Sequence, residues 1–119
     1  MKKLIKNQRE TRIQEEEMKE LEGIVVIQRD IGSDVLVINN IPVSQYYRGY
    51  NGKEIILTIV CAKGKTYTYE GTADIFYFEG KQHYYRGTKY VDDFFIDDID
   101  IRELLEQHEN ESVKIIISS

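Results

Sequence analysis

The chain has no tryptophan, one cysteine, one proline and two histidines among its 119 residues. Each scarcity excludes something. Cys61 alone cannot close an internal disulfide, so oxidative stapling is ruled out and a buried, inert thiol is the expected state. Pro42 alone cannot form a proline-rich linker, so the 119 residues read as a single domain. His83, His108 and Cys61 are too few for a zinc centre of the usual ligand count, so no metal site is assigned. Phosphate-cradling glycine loops, a dinucleotide fingerprint and a nucleophile elbow are all missing, so no cofactor and no catalytic residue is assigned. No apolar run approaches the ~18 residues that span a membrane. The polar run Asn7-Gln8-Arg9-Glu10 follows Met1–Lys6 too closely for the apolar segment of a signal peptide. These features lead to the expectation of a cytoplasmic protein with no membrane partner.

What the chain does contain is β-forming residues and an uneven charge. Nine tyrosines and four phenylalanines accompany many isoleucines and valines, a composition that favours strands. The net charge of −5 divides into blocks of +4 over residues 1–14, −4 over 15–22, +2 over 23–90 and −8 over 91–111, with Lys114 adding the last positive charge. The last block holds Asp92, Asp93, Asp97, Asp98 and Asp100 and is the most unusual feature of the sequence. A field of that sign repels nucleic acid and attracts basic surfaces.

Periodicity predicts an α+β fold. A helical N-terminal arm is expected over 7–22, where Asn7 and Glu10 have capping-box spacing and Gly23 supplies a stop. An antiparallel meander curved into a small barrel-like sheet is expected over 23–90. Ile24–Asp30 and Asp34–Asn39 flank a glycine-containing hairpin loop, Ile31-Gly32-Ser33. Asn39–Pro42 reads as a loop and Val43–Tyr47 as a short strand. Tyr50–Lys53 holds an Asn-Gly turn signal, and Glu54–Ala62, apolar on both faces, reads as a central strand. Lys65–Glu70 places Tyr67 and Tyr69 on one face, Gly71-Thr72 turns into Ala73–Glu79, and Gly80-Lys81 turns into Gln82–Arg86. Tyr90–Ile99 fits helix and strand equally. A short acidic helix is expected from Asp100, which has capping-box spacing to Glu103 and puts Ile101, Leu104, Leu105 and His108 on one face. Val113–Ser118 is the closing strand, and as an exposed edge it could mediate a homodimer.

Three constellations could support a function. The acidic segment offers Asp92, Asp93, Asp97, Asp98 and Asp100 as a charged surface, with Phe94 and Phe95 as apolar anchors if exposed. The run has no glycine and no closing glutamate at the spacing of a calcium loop, so a solvated surface or a partner-binding surface outweighs a metal site. The segment Tyr46-Tyr47-Arg48-Gly49 recurs as Tyr84-Tyr85-Arg86-Gly87. Tyr46, Tyr47, Arg48, Tyr84, Tyr85 and Arg86 could stack on bases or on a nucleotide-like ligand. The bland alternative is that half of these tyrosines face the core. A carboxylate-metal hydrolase would require several aspartates to converge with a histidine in one cleft.

A short acidic domain rich in lysine, isoleucine and tyrosine, with no catalytic motif, resembles small phage-encoded accessory proteins, including anti-CRISPR and other anti-defence inhibitors. The likeness is one of composition; it contains no motif and so assigns no role to any residue. It implies a non-enzymatic, protein-binding inhibitor whose partner is a host or defence protein with a basic surface. Acidic residues in such a protein would occupy a groove that otherwise holds nucleic acid or phosphate.

Overall fold

The computed structural model describes residues 18–30, 33–81 and 88–119. In chain order its elements are β1 (Lys19–Asp30), β2 (Ser33–Ile38), β3 (Ile41–Pro42), α1 (Val43–Tyr47) with a 3-10 turn at Arg48–Tyr50, β4 (Glu54–Cys61), β5 (Thr66–Lys81), β6 (Thr88–Ile96), β7 (Ile99–Asp100), α2 (Ile101–Glu106) and β8 (Ser112–Ser118). The strands form one antiparallel sheet in the order β3-β2-β1-β8-β4-β5-β6-β7, curled into a half-barrel with the two short helices on its inner side. Two runs of sequential hairpins, β1–β3 and β4–β7, are therefore joined by β8, which pairs with β1 through Leu21↔Ile115 and with β4 through Ile59↔Ile115.

Strict alternation builds the core. Ile55, Leu57, Ile59 and Cys61 of β4 point inward beside Val113, Ile115 and Ile117 of β8, while Ile56, Thr58 and Val60 face outward. The inward side also takes Leu21 and Val25 of β1, Leu36 and Ile38 of β2, Ile75 of β5, and Phe94 and Ile96 of β6. α1 inserts Val43 and Tyr47, and α2 inserts Ile101 and Leu105. Strand β2 is covered on both faces, because Val35 and Val37 pack against Tyr77 and Tyr90.

Several expectations are met. The pairing Val25↔Ile38 to Asp30↔Ser33 is the first hairpin. Asp100 caps α2 by accepting from the Glu103 backbone N–H at 3.1 Å. Tyr67 and Tyr69 share a face with rings stacked 6.5 Å apart.

Others are corrected. Residues 7–17 of the expected N-terminal helix lie outside the described residues, and its described end, Lys19–Glu22, is strand paired with β8. Gly23 does not stop a helix; it lies in β1, where an added Cβ would come within 3.0 Å of Ile38. Asn39 and Asn40, both at positive φ, form a two-residue turn between β2 and β3. Val43–Tyr47 is helical, because the helix lets Val43, Ser44 and Tyr47 enter the core together. β4 is central and apolar on both faces, but only one face is buried; Ile56 and Val60 of the other are exposed. Gly71-Thr72 is no turn: β5 runs through it without a break, pairing with β4 up to Thr72 and with β6 from Ala73 onward. Gly71 is required there because the Asp97 carboxylate occupies the space a Cβ would need. Gly80 and Lys81 are still strand, and the expected strand Gln82–Arg86 lies outside the described residues. Tyr90–Ile96 belongs to β6. β8 is not an edge but the interior seam of the sheet, so the dimer expected through Val113–Ile117 has no free strand there.

Candidate functional site

The acidic segment is divided by the pleat of β6. Asp92 and Phe94 point inward, 7% and 1% exposed, whereas Asp93 is exposed and Phe95 half-buried on the outer face. Asp92 is fully occupied within the molecule. Its carboxylate accepts from the Ser44 hydroxyl of α1 and from the Leu36 backbone N–H of β2 at 3.1 Å. Arg102 of α2 lies against it: Nη1 donates to the Asp92 carbonyl at 3.2 Å, and Nε is 3.4 Å from Oδ2 at an angle that makes no hydrogen bond. One buried carboxylate thus ties four elements together. Phe94 meets the Tyr47 ring edge-on at 6.0 Å. Both are buried, which withdraws Asp92 from the expected charged surface and Phe94 from the expected anchoring role.

The turn after β6 places Asp97 and Asp98 at the surface. Asp97 accepts from the Thr72 backbone N–H at 3.0 Å, and its own N–H donates to the Thr72 carbonyl at 3.0 Å. Asp100 is engaged as the cap of α2. Among the described residues these aspartates do not converge with a histidine: His108 stands with Tyr67, Cys61 and Glu111, and His83 lies outside the described residues. Among the described residues, no group of three His, Cys, Asp or Glu side chains is placed to hold a metal ion.

The outer face of β5 and β6 supplies residues the sequence reading did not single out. Phe76 and Phe78 are each 50% exposed. Register sets Phe76 opposite Asp93, Phe78 opposite Val91 and Asp74 opposite Phe95. Aromatic and acidic side chains therefore alternate across two strands on one surface. Among the described residues no cation is ion-paired with Asp74, Asp93 or Asp98. The only sequence signal was the unbroken run Ile75-Phe76-Tyr77-Phe78, apolar at both parities, in which one parity had to face outward.

The Tyr-Arg constellation is half described. Tyr84, Tyr85 and Arg86 lie outside the described residues. Tyr47 is buried, donates from its hydroxyl to the Ile115 carbonyl at 2.9 Å, and burial pushes its phenol well above the ordinary range. Tyr46 packs edge-on against Tyr47, donates to the Glu20 carbonyl at 2.9 Å and receives the Lys19 ammonium over its ring at 4.0 Å. Of Tyr46, Tyr47 and Arg48, only Arg48 is exposed.

A second cluster was not foreseen. His108 Nε2 lies 3.0 Å from the Tyr67 hydroxyl and 4.0 Å from Cys61 Sγ, and Nδ1 lies 3.2 Å from Glu111 Oε1. Cys61 is buried, and burial, helped by Glu111, pushes its thiol up from its ordinary value. That direction favours the protonated, unreactive form. Together with the Tyr67 hydroxyl standing on the imidazole, it makes the group a packed polar tether between β4, β5 and the end of α2.

No helix among the described residues is long and apolar enough to cross a membrane. Compared with known protein families, curated proteins and solved structures, the chain matches none.

Proposed function

We propose that this chain is a non-enzymatic protein-binding module that lays the outer face of β5 and β6 on a basic surface of its partner. The observation behind this reading is the exposure of Phe76 and Phe78 on a face where Asp74 and Asp93 sit between them and Phe95. Exposed aromatic side chains are the usual anchors of an interface. Carboxylates set among them favour a partner of positive potential and speed its encounter. Asp97 and Asp98 extend the negative field along the same end of the molecule. A surface of that potential commonly binds nucleic acid, so occupation by this chain would act as inhibition by charge mimicry. The compositional likeness to phage anti-defence inhibitors points the same way.

The test is affinity capture of the tagged chain from nuclease-treated lysate, in parallel with Phe76→Ser/Phe78→Ser and Asp74→Asn/Asp93→Asn. The reading expects a stoichiometric protein that is displaced by added duplex DNA, lost with the phenylalanine variant and weakened by the asparagine variant. Retention of the same proteins by all three chains, unaffected by DNA, would overturn it. Retention of nucleic acid from untreated lysate instead would favour the stacking role of the Tyr-Tyr-Arg segments.

A further inference from the structure

Among the described residues, the first half of β5 is a stretch of interior strand with a strand on one side only. Strand β5 pairs with β4 over Thr66–Thr72 and with β6 only from Ala73 onward, so its first half has β4 on one side and, among the described residues, nothing on the other. The hydrogen-bond phase shows which groups face the gap. The Lys65 carbonyl accepts from Cys61, and Ala73 bonds to Gly52 and Lys53, so odd-numbered residues of this stretch point their backbone groups toward β4. Even-numbered residues point away. At Thr72 both outward groups are met by Asp97. The outward N–H and C=O groups of Thr66, Thr68 and Glu70 form an open template for another strand.

We propose that this edge pairs with the same edge of a second copy, antiparallel about a twofold axis through Thr68. The stretch is self-complementary in that register. Thr68 meets Thr68 of the other copy, Thr66 meets Glu70, and each pair exchanges both backbone bonds. Tyr67 meets Tyr69 of the other copy on the inner face, which extends the existing Tyr67–Tyr69 stack into a four-ring cluster. No like charges are set opposite each other. Lys65 falls opposite Gly71, the position where the Asp97 carboxylate fills the space of the missing Cβ. The basic Lys63–Lys65 turn of each copy thereby lands on the acidic Asp97–Asp98 turn of the other, twice by symmetry. The ladder ends there, because Asp97 already satisfies Thr72. This inference shares only Asp97 and Asp98 with the partner-binding reading and uses none of Asp74, Phe76, Phe78 or Asp93, the residues that reading is tested on.

Sedimentation equilibrium of the whole chain at micromolar concentration tests it. The expected result is a dimer that weakens as salt is raised, because its end contacts are charged. Thr68→Pro removes an N–H that no described strand of the same chain uses, so the variant should stay folded by circular dichroism and become monomeric. Lys65→Glu should also give a monomer, and Lys65→Arg should retain the dimer, which keeps the proposal testable if the proline variant misfolds. A wild-type monomer overturns the proposal, as does a dimer unaffected by Thr68→Pro and Lys65→Glu. A monomer whose Thr66, Thr68 and Glu70 amides resist hydrogen exchange would also overturn it, showing that the chain's own residues cover the edge.

Discussion

Asp92-Asp93-Phe94-Phe95 contains each residue type twice in succession, and the two members of each pair have opposite fates. Asp92 and Phe94 face the interior; Asp93 and Phe95 face outward. The inner pair organises the fold: Phe94 packs on Tyr47, and Asp92 holds α1, β2 and α2 against β6. The outer pair shares a surface with Asp74 and Phe76. Chemistry alone does not separate an architectural aspartate from one that faces solvent. Position parity in the strand does.

Paired substitutions test that division. The largest contrast is expected at the phenylalanines. Phe94→Ala removes a fully buried ring and should cost about 3–5 kcal/mol in urea denaturation. Phe95→Ala should cost less than about 1 kcal/mol, as a partly solvated side chain outside the core. Equal losses would mean that the outer face is also a packing surface.

Asp92→Asn comes next. It keeps the shape but removes the charge beside Arg102 and turns one acceptor oxygen into an N–H2, which must face either the Ser44 hydroxyl or the Leu36 N–H, with an expected loss of roughly 1–3 kcal/mol. Asp93→Asn should stay within about 0.5 kcal/mol, the range of ordinary surface changes. An Asp93 variant as damaging as the Asp92 variant would break the comparison.

The smallest effect belongs to the exposed counterpart of the Asp92–Arg102 pair. Arg29 donates to Glu109 at 3.0 and 3.1 Å at the surface. The hydrogen bond from Arg29 holds the Glu109 carboxyl below its ordinary value. A depressed carboxyl contributes stability that is present above its unfolded value and lost as pH falls through its folded one. Glu109→Gln should therefore lower stability slightly at neutral pH, the gap to the wild type closing as pH falls through the acid limb, and the loss should vanish in high salt. A salt-independent change at neutral pH would show this pair to be more than a surface contact.

Much of the β architecture was legible because alternation is a local signal. Val113, Ile115 and Ile117 marked a buried face, and Asp100 with Glu103 marked a helix start; both hold. What failed was non-local. Val43–Tyr47 has the side chains of a strand, yet it coils because three of its residues must reach one core from a short connection. Gly71 looked like a turn, but it is flat strand kept bare for Asp97, a residue 26 positions later. The same limit applied to the site. Asp97 and Asp98 were recognised as surface charges, but separating Asp93 from Asp92, and finding Phe76 and Phe78, required the strand phase that only pairing partners establish.

The position of β8 has a kinetic consequence. Lys19 must find Ile117, and the two hairpin runs have no direct pairing until β8 enters between them. Contacts of such sequence separation close slowly, because the loop entropy is lost before the ladder forms. During synthesis β1 and β4 therefore each wait with a bare flank until residues 112–118 have emerged. The chain passes through a stage of two half-sheets, and at that stage the outer edge of β1 or β4 is the place where a wrong strand can add. Folding of this protein should accordingly be one late, cooperative closing step and not a stepwise growth from the first hairpin.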